Sequence, residues 1–357
     1  MDSHAHPTDA DAAAPGRPAP PDPAALDSAL AWLRANEAQR SPWPRSWLLG
    51  GLTALVLIPS VLCWLGMTHA VSVWLVLALL SPLLWAGTLV GLMARANVGD
   101  SVGQTGAGAL LRALASETVS TLQVMALEMA LRWRQCPNII GAKYRGQTGV
   151  ILVHGYQCHR SAWNAWLRRW ASVNRPCVAV NLGATEGLIM DHAPVVAQAI
   201  HAMRTITGRD PVVVGHSLGG LALRAWWQAH GAQDAGVARF ITLGTPHQGT
   251  RLARLARSVA ALDMRPDSDF LQRTRQHIDR HGLPPALAWL TPTDPLVTPA
   301  SAAALAAPAV GPAPENRITT PCGHNALLLR PDLMDEVLAL TQALDAPAAA
   351  PAFEPAP

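Results

Sequence analysis

From Ser46 to Ala94 the chain runs for 49 residues without an Asp, Glu, Lys or Arg. One helical membrane span needs about 20 apolar residues, so this stretch has room for two. The pattern places them at about Trp47–Met67 and Val71–Ala94, with Thr68-His69-Ala70 as a tight turn. The second carries twelve Leu or Val residues between Val71 and Leu92, which favours insertion by several kcal/mol in sum. Pro59 and Pro82 are tolerated inside membrane helices and would kink rather than end them. Among Trp43, Trp47, Trp64, Trp74 and Trp85 are plausible interfacial anchors. A hairpin buried in a soluble core is the competing reading.

After this block the period changes. Residues 98–108 (VGDSVGQTGAG) read as a Gly-rich linker. Ala109–Trp133 sets Leu110, Leu111, Leu114, Val119, Leu122, Met125, Leu127 and Leu131 among Arg112, Glu117, Glu128 and Arg132. That is an amphipathic helix, expected to pack on the following domain rather than lie on a membrane surface. From about Asn138 to Asp345, short β-branched runs alternate with helical segments. The strand candidates are Gly149–His154, Cys177–Asn181, Pro211–Gly215, Phe240–Gly244 and Leu287–Leu290. Continuous apolar runs alternating with helices indicate a parallel sheet covered on both faces. The resulting organisation is a disordered, cytoplasmic N-terminal segment at 1–45, a membrane hairpin at 46–95 and a linker with amphipathic helix at 96–137. A catalytic-sized α/β domain follows at 138–345, and a disordered tail at 346–357.

Composition changes this picture only at the ends and the flanks. Residues 1 to about 25 are Ala, Pro and Asp with almost no large apolar residue, too little to offset ordering entropy. His4 and His6 there read as solvated imidazoles rather than a metal tract. Arg34, Arg40 and Arg45 precede the hairpin, and Arg95 and Arg112 follow it. The positive-inside rule then puts both flanks, and the large domain, in the cytoplasm. A cleaved signal peptide fits poorly, since the apolar run starts late and is too long. The formal net charge of +3 is too small for a nucleic-acid partner. Five cysteines without close spacing form neither a disulfide framework nor a metal site, and no metal-spaced ligand set or cofactor motif appears.

Chemistry concentrates in the large domain. Gly215-His216-Ser217-Leu218-Gly219 is a G-x-S-x-G between the apolar run PVVV and the helical LALRAWWQA. A strand entering and a helix leaving is the setting of a nucleophile elbow, in which small residues must flank the serine. Ser217 would then project above the sheet, with the Leu218 N–H at the helix start able to stabilise an oxyanion. A passive Ser in an ordinary strand-to-helix turn is the alternative. Gly155, after the run VILVH, lets the backbone present the Tyr156 N–H as a second donor. A serine nucleophile needs a base, and the base an orienting carboxylate. Asp294 in TPTDP and His324 in CGHN follow Ser217 in the order expected for such an elbow. The competitors Asp263, Asp267, Asp269, His277 and His281 lie in a helical, charged stretch, and His247 follows the run FITLG. His154 and His216 would shape the pocket rather than act as base.

The blocks VILVHGYQCHRSAW, VVVGHSLGGLALRAW, ITLGTPHQGT, TPTDPLVTP and GHNALLLRP together resemble the bacterial lipase/esterase branch of the α/β-hydrolases, over roughly residues 138–340. The resemblance implies an α/β-hydrolase fold with a cap at about 250–286. It implies Ser217, Asp294 and His324 as triad and the Tyr156 and Leu218 amides as oxyanion hole. His154, Gly155, His216, Gly219, Thr245 and His247 would line the pocket. The cap holds Arg251, Arg254, Arg257 and Arg265 with Leu252, Leu255, Val259 and Leu262 at helical spacing, read as a cap helix with a solvated arginine face. The other reading is a basic amphipathic helix meeting an anionic surface.

The expectation is a serine ester hydrolase anchored in the bacterial inner membrane by two spans, acting without metal or cofactor on a lipid or other apolar acyl ester. The hairpin sets the chain apart from secreted relatives and argues against bulk extracellular triglyceride. An acyltransferase with the same triad and a catalytically idle membrane-bound interaction module are the alternatives. A polyester synthase is disfavoured because the elbow carries Ser217 rather than Cys.

Overall fold

The structure, a computed structural model, describes residues 18–41, 45–231 and 236–346. The expectations for His4, His6, Trp43 and the chain beyond residue 346 fall outside these residues. Six parallel strands are present: β1 (Val150–Val153), β2 (Cys177–Val180), β3 (Val212–His216), β4 (Arg239–Leu243), β5 (Ala286–Leu290) and β6 (Glu315–Ile318), in spatial order β2-β1-β3-β4-β5-β6. The first five coincide with the five apolar runs, because strands buried on both faces need apolar side chains at every position. β6 has no such run. It pairs only with β5 and leaves Ile318 59% exposed, so its sequence, ENRI, reads as loop.

Two apolar layers sandwich the sheet. Ile151, Val153, Val178, Val180, Val213 and Phe240 point to the side covered by α1 (Pro23–Glu37), α6 (Ala193–Thr207) and α7 (Leu218–Trp226). Their alternates Leu152, Ala179, Val214, Ile241 and Trp289 pack on the other side with Trp163, Trp166 and Trp170. That side is closed by α5 (Asn164–Ser172) and α10 (Pro331–Asp345).

The first correction concerns the N-terminal segment. Within the stretch expected to be disordered, residues 23–37 form α1. The Asp22 carboxylate accepts from the Ala24 amide at 3.3 Å and Pro23 occupies the first turn, a good helix start. Leu26, Ala29, Leu30 and Leu33 recur at i, i+3, i+4 and i+7 and pack into the core. Asn36 then exchanges three hydrogen bonds with Asn181 at the end of β2, all of 2.8–2.9 Å. The polar, Pro-rich residues ahead of this short period masked it.

The apolar block forms α2 (Arg45–Trp64) and α3 (Thr68–Ala96). The turn falls at Leu65–Met67 instead of 68–70, because Gly66 takes the left-handed conformation (φ 75°) there. Pro59 and Pro82 lie inside the two helices. Among the described residues α3 alone is long and apolar enough to cross a membrane, and only 11% of its most apolar window is buried. The buried share is far below that of a soluble core helix. Its last turns do meet protein: Val90 and Met93 pack with Ala113 of α4 (Ala107–Thr121), and Leu110 and Leu114 join them.

The Gly-rich linker between α3 and α4 is pinned to the domain. The Asn97 side chain donates to the Pro292 carbonyl (3.3 Å) and accepts from the Ala300 amide (3.0 Å). Asp100 accepts from the Val102, Gly103 and Ser301 amides. α4 continues as a π-helical stretch, Leu122–Leu131. The whole rod packs on the domain, but its apolar residues are divided: Leu110, Leu114 and Met125 pack against protein while others face out. Ala109, Ala113, Glu117, Ser120, Val124 and Glu128 are buried, whereas Leu111, Val119, Leu122, Leu127 and Leu131 are 38–67% exposed.

In the cap, the single helix expected around 251–265 is broken. A 3-10 turn (Arg251–Leu255) leads into the short α8 (Val259–Asp263) and then α9 (Asp269–His281). Caps by Thr250 and Ser258 begin these two successive turns, and Leu255 is left 73% exposed.

Candidate active site

The strand register brings Val153, His216 and Leu243 near one edge of the sheet, and the loops leaving β1, β3, β5 and β6 meet there. Ligands of open α/β sheets bind outside the carboxyl ends of the strands. Ser217 ends β3 and begins α7 with φ 56°, ψ −126°, a conformation costly for a non-glycine residue. Its amide donates to the Leu243 carbonyl (2.9 Å), which holds the strained turn. The turn closes only with glycine: a Cβ on Gly219 would lie 2.2 Å from the Val153 carbonyl oxygen, and one on Gly215 2.5 Å from the Gly220 nitrogen.

Asp294 lies in the loop after β5. Its Oδ1 accepts from the Leu296 and Val297 amides, both at 2.8 Å, which aims Oδ2 at His324. His324 Nδ1 donates to that oxygen at 2.8 Å, and both side chains are buried. The bond assigns the tautomer and leaves Nε2 for a substrate-side partner. Burial pushes the His324 imidazole down. The Asp294 carboxylate, through charge and hydrogen bond, outweighs it with help from Glu117, and the pKa stands above its ordinary value of 6.5. Ser217 and His324 line one cavity of about 700 Å³. Among the described residues no hydrogen bond joins Ser217 Oγ to His324, as is common before a substrate compresses the pair.

The loop after β1 lies directly against the serine, so that a Cβ on Gly155 would stand 3.0 Å from Ser217 Cβ. This places Tyr156 beside Ser217 in the same cavity. The Tyr156 amide meets no acceptor among the described residues. The Leu218 amide is in the first turn of α7, where helix N–H groups have no internal partner.

Of the six residues expected to line the pocket, Gly155 and His216 do so. The His216 ring lies 4.6 Å from that of His324, and burial first, then the His324 charge, hold its pKa well below 6.5. The other four are corrections. His154 braces the loop from below, its Nε2 accepting from the Leu182 amide at 3.1 Å and its pKa pushed to about 3 by burial. Gly219 is pressed against β1, and Thr245 fills the space beside Gly220. His247 meets Thr242 Oγ1 at 3.0 Å and opens on a separate cavity with Arg224 and Asp267. His154, Thr245 and His247 follow β1 and β4 closely and are held beneath the loops, and Gly219, inside α7, has no side chain to present. The competitors also stay apart: Asp263 accepts from the Ile189 amide, and the His277 and His281 rings meet each other, tilted by 38°, along α9.

Glu117 is the group that sequence reasoning missed. It is fully buried, accepting at Oε1 from Thr121 Oγ1 (2.9 Å) and Asn325 Nδ2 (3.0 Å), and at Oε2 from the Asn325 amide (3.1 Å). Burial raises its own pKa, but three donors and no acceptor suit the ionised form. α4 reaches this point because Gly323 has no Cβ; one would lie 2.3 Å from Glu117 Oε2. The signal was its register with Ala109, Ala113 and Ser120, a stripe of small residues that permits close approach.

Among the described residues no group of three His, Cys, Asp or Glu is placed to hold a metal ion. Residues 149–280 match the family model described as palmitoyl protein thioesterase. No curated protein matches the chain in sequence. Among solved structures, the mature form of lipase BlEst2 from Bacillus licheniformis is similar, with 19% identity and a TM-score of 0.46 over 57% of this chain and 93% of that one. Lipase B from Aspergillus fumigatus shows 21% identity and a TM-score of 0.44 over 56% of this chain and 54% of that one. For naproxen esterase from Bacillus subtilis the values are 14% and 0.37, over 54% and 83%. The six-stranded parallel sheet with helices on both faces fits the α/β-hydrolase architecture that the sequence motifs imply.

Proposed function

We propose that this chain is a membrane-anchored serine hydrolase that cleaves an acyl ester with an apolar chain through an acyl-enzyme. The observation that carries the reading is Ser217, held at a strained φ of 56° and opening on the same cavity as the buried His324–Asp294 pair. His324 Nε2 takes the Ser217 proton as Oγ attacks the carbonyl carbon, and Asp294 stabilises the imidazolium. The Leu218 and Tyr156 amides receive the negative charge on the carbonyl oxygen. Collapse of the tetrahedral adduct breaks the bond to the leaving group, which takes the proton from His324. Water then repeats the sequence on the acyl-enzyme, releasing the carboxylic acid and free Ser217.

α2 and α3 are proposed as two membrane spans with the hydrolase domain on the cytoplasmic side of a bacterial inner membrane. The low burial of α3 and the arginines that flank the apolar block support this reading. The family match over residues 149–280 favours a second substrate, an acyl thioester, whose carbonyl the same triad attacks with a thiol as leaving group.

The test is hydrolysis of p-nitrophenyl esters and acyl thioesters of graded chain length by the detergent-solubilised protein. Ser217→Ala should lower kcat by about 10⁴- to 10⁶-fold, and Asp294→Asn by about 10⁴-fold. Equal turnover by wild type and Ser217→Ala refutes the reading. An added alcohol that captures the acyl group in preference to water would make the enzyme an acyltransferase, and no turnover with no fluorophosphonate labelling of Ser217 would make it an interaction module.

A further inference from the structure

Ser217 lies between two cavities. The smaller, about 170 Å³, is on the cap side among Leu252, Ala253, Ala261 and Met264. The larger, about 700 Å³, is bounded by Ser81, Pro82 and Trp85 of α3 and by Leu122 and Met125 of the π-helical stretch, with Ser217 and His324 at its inner end. Only the larger falls within the roughly 300–1,000 Å³ of ordinary ligand sites. One wall of the reactive cavity is thus the apolar helix outside the hydrolase domain.

The position of that wall along α3 is informative. Pro82, Ala86, Val90 and Met93 follow one another at i, i+4, i+8 and i+11 on one face. From Ala86 onward this face is buried, with Val90 and Met93 against α4; at Ser81–Trp85 the helices part and the cavity fills the gap. Residues 68–85, ahead of the packed segment, span about 27 Å at 1.5 Å per residue. A hydrocarbon core is about 30 Å thick. On the membrane-anchor reading above, Ser81–Trp85 would stand at the edge of the bilayer nearest the hydrolase domain, where Trp85, 47% exposed, suits the headgroup region. The adjoining outer face of the rod exposes Leu111, Val119 and Leu122, with the Arg112 side chain beside them.

We infer that Ser217 takes its substrate sideways out of the bilayer, through the opening between α3 and the α4 rod. The substrate class is a membrane lipid with its ester carbonyl at headgroup depth and an acyl chain that passes Trp85 and Leu122. This inference rests on the serine-hydrolase and membrane-anchor readings above. The chain need not leave an apolar medium to reach the serine, and the cap-side cavity receives the group across the carbonyl.

The experiment uses the full-length protein in phosphatidylcholine vesicles. Cys63 is the one exposed cysteine of five, so Cys63→Ser supplies a background in which an added cysteine is labelled ahead of the four buried ones, with Cys158, which lines the cavity, checked for modification by mass spectrometry. Ser81→Cys carrying a bulky maleimide should lower the ratio of vesicle-lipid hydrolysis to p-nitrophenyl acetate hydrolysis by about tenfold or more, as expected when binding specific to one substrate is lost. The same adduct on Leu79→Cys, a position 73% exposed on α3, should leave the ratio unchanged. Rates are normalised to Ser217 labelled by a fluorophosphonate. An unchanged ratio at Ser81, or an equal fall at Leu79, overturns the inference. Should wild type hydrolyse neither substrate, the hydrolase reading fails by itself. The opening is then tested with a diazirine phosphatidylcholine: labelling of the segment around Tyr156 supports it, and labelling confined to α2 and residues 68–80 overturns it.

Discussion

α9 and α4 are both helices laid against the same hydrolase domain, and they are turned opposite ways. α9 buries Phe270, Leu271, Thr274 and Ile278 and presents Asp269, Gln272, Arg273, Gln276 and Arg280 outward. The rod formed by α4 and its π-helical extension buries Glu117 and Glu128 and turns Leu111, Val119, Leu122, Leu127 and Leu131 outward. Full burial of such a side chain contributes about 1.5–3 kcal/mol, so in water the rod would forgo several kcal/mol. It is stable in this orientation because each buried carboxylate is satisfied, Glu117 by Thr121 and Asn325 and Glu128 by Arg168 and Asn164. With both glutamates paired within and several leucines facing out, the rod suits the apolar exterior proposed above, although Arg112 is also exposed on it, whereas α9 suits water. The rod follows, after the pinned linker, on α3, the one described helix long and apolar enough to span a bilayer.

This contrast can be tested from its strongest consequence downward. Phe270→Ala on α9 should cost about 3–5 kcal/mol of stability, read by chemical denaturation in detergent. Leu122→Ala on the rod should cost under about 1 kcal/mol in the same assay, since little burial is lost. Comparable losses at the two sites would break the comparison.

Next comes the inward face of the rod. In the proposed mechanism His324 must be neutral to accept the Ser217 proton, so activity should rise as pH climbs through its pKa. That pKa is raised, which places the acid limb of kcat/KM above pH 6.5. The groups facing His324 are Asp294 from the β5 loop, Glu117 from α4 and the neutral His216 from β3. Glu117→Gln removes one negative charge and keeps the size and one acceptor. The imidazolium loses support, and the limb should move to lower pH while Ser217 still reacts with a fluorophosphonate. A limb that stays in place would reduce Glu117 to a packing role.

The smallest effect is on the outward face. Leu111→Ser with Val119→Ser should leave thermal unfolding in detergent within a few degrees, since each change is worth about 0.5 kcal/mol or less at an exposed site. The same pair should weaken the hold of the rod on phosphatidylcholine vesicles, read as faster exchange of backbone amides over residues 107–131. Unaltered exchange would mean the leucines face water after all.

The sheet was legible because its interior strands are buried on both faces, a demand that writes itself as VILV, CVAV and VVVG. The elbow was equally legible, since Gly215 and Gly219 sit where any Cβ would meet backbone. β6 escaped because an edge strand with one neighbour needs no apolar run, and α1 escaped because its short period of leucines follows a Pro-rich tract. The amphipathic pattern of 109–133 identified a helix that packs on the domain, but it did not show which of its leucines would face out. The spacing of leucines along a helix gives the direction of its apolar side but not whether protein, water or lipid lies there.

By itself, then, the sequence determined the parallel sheet, the tight strand-to-helix turn at Ser217, the order of Ser217, Asp294 and His324, and the uncharged block of 49 residues. The strand runs, the turn at Ser217 and the uncharged block are local demands, met by neighbours along the chain. Only the tertiary structure decided that Asp294 Oδ2 meets His324 Nδ1, that Glu117 stands behind that pair, and that α3 walls the cavity of Ser217. Those contacts join residues up to some two hundred positions apart. They arise from how separate elements pack, a property that no window of sequence contains.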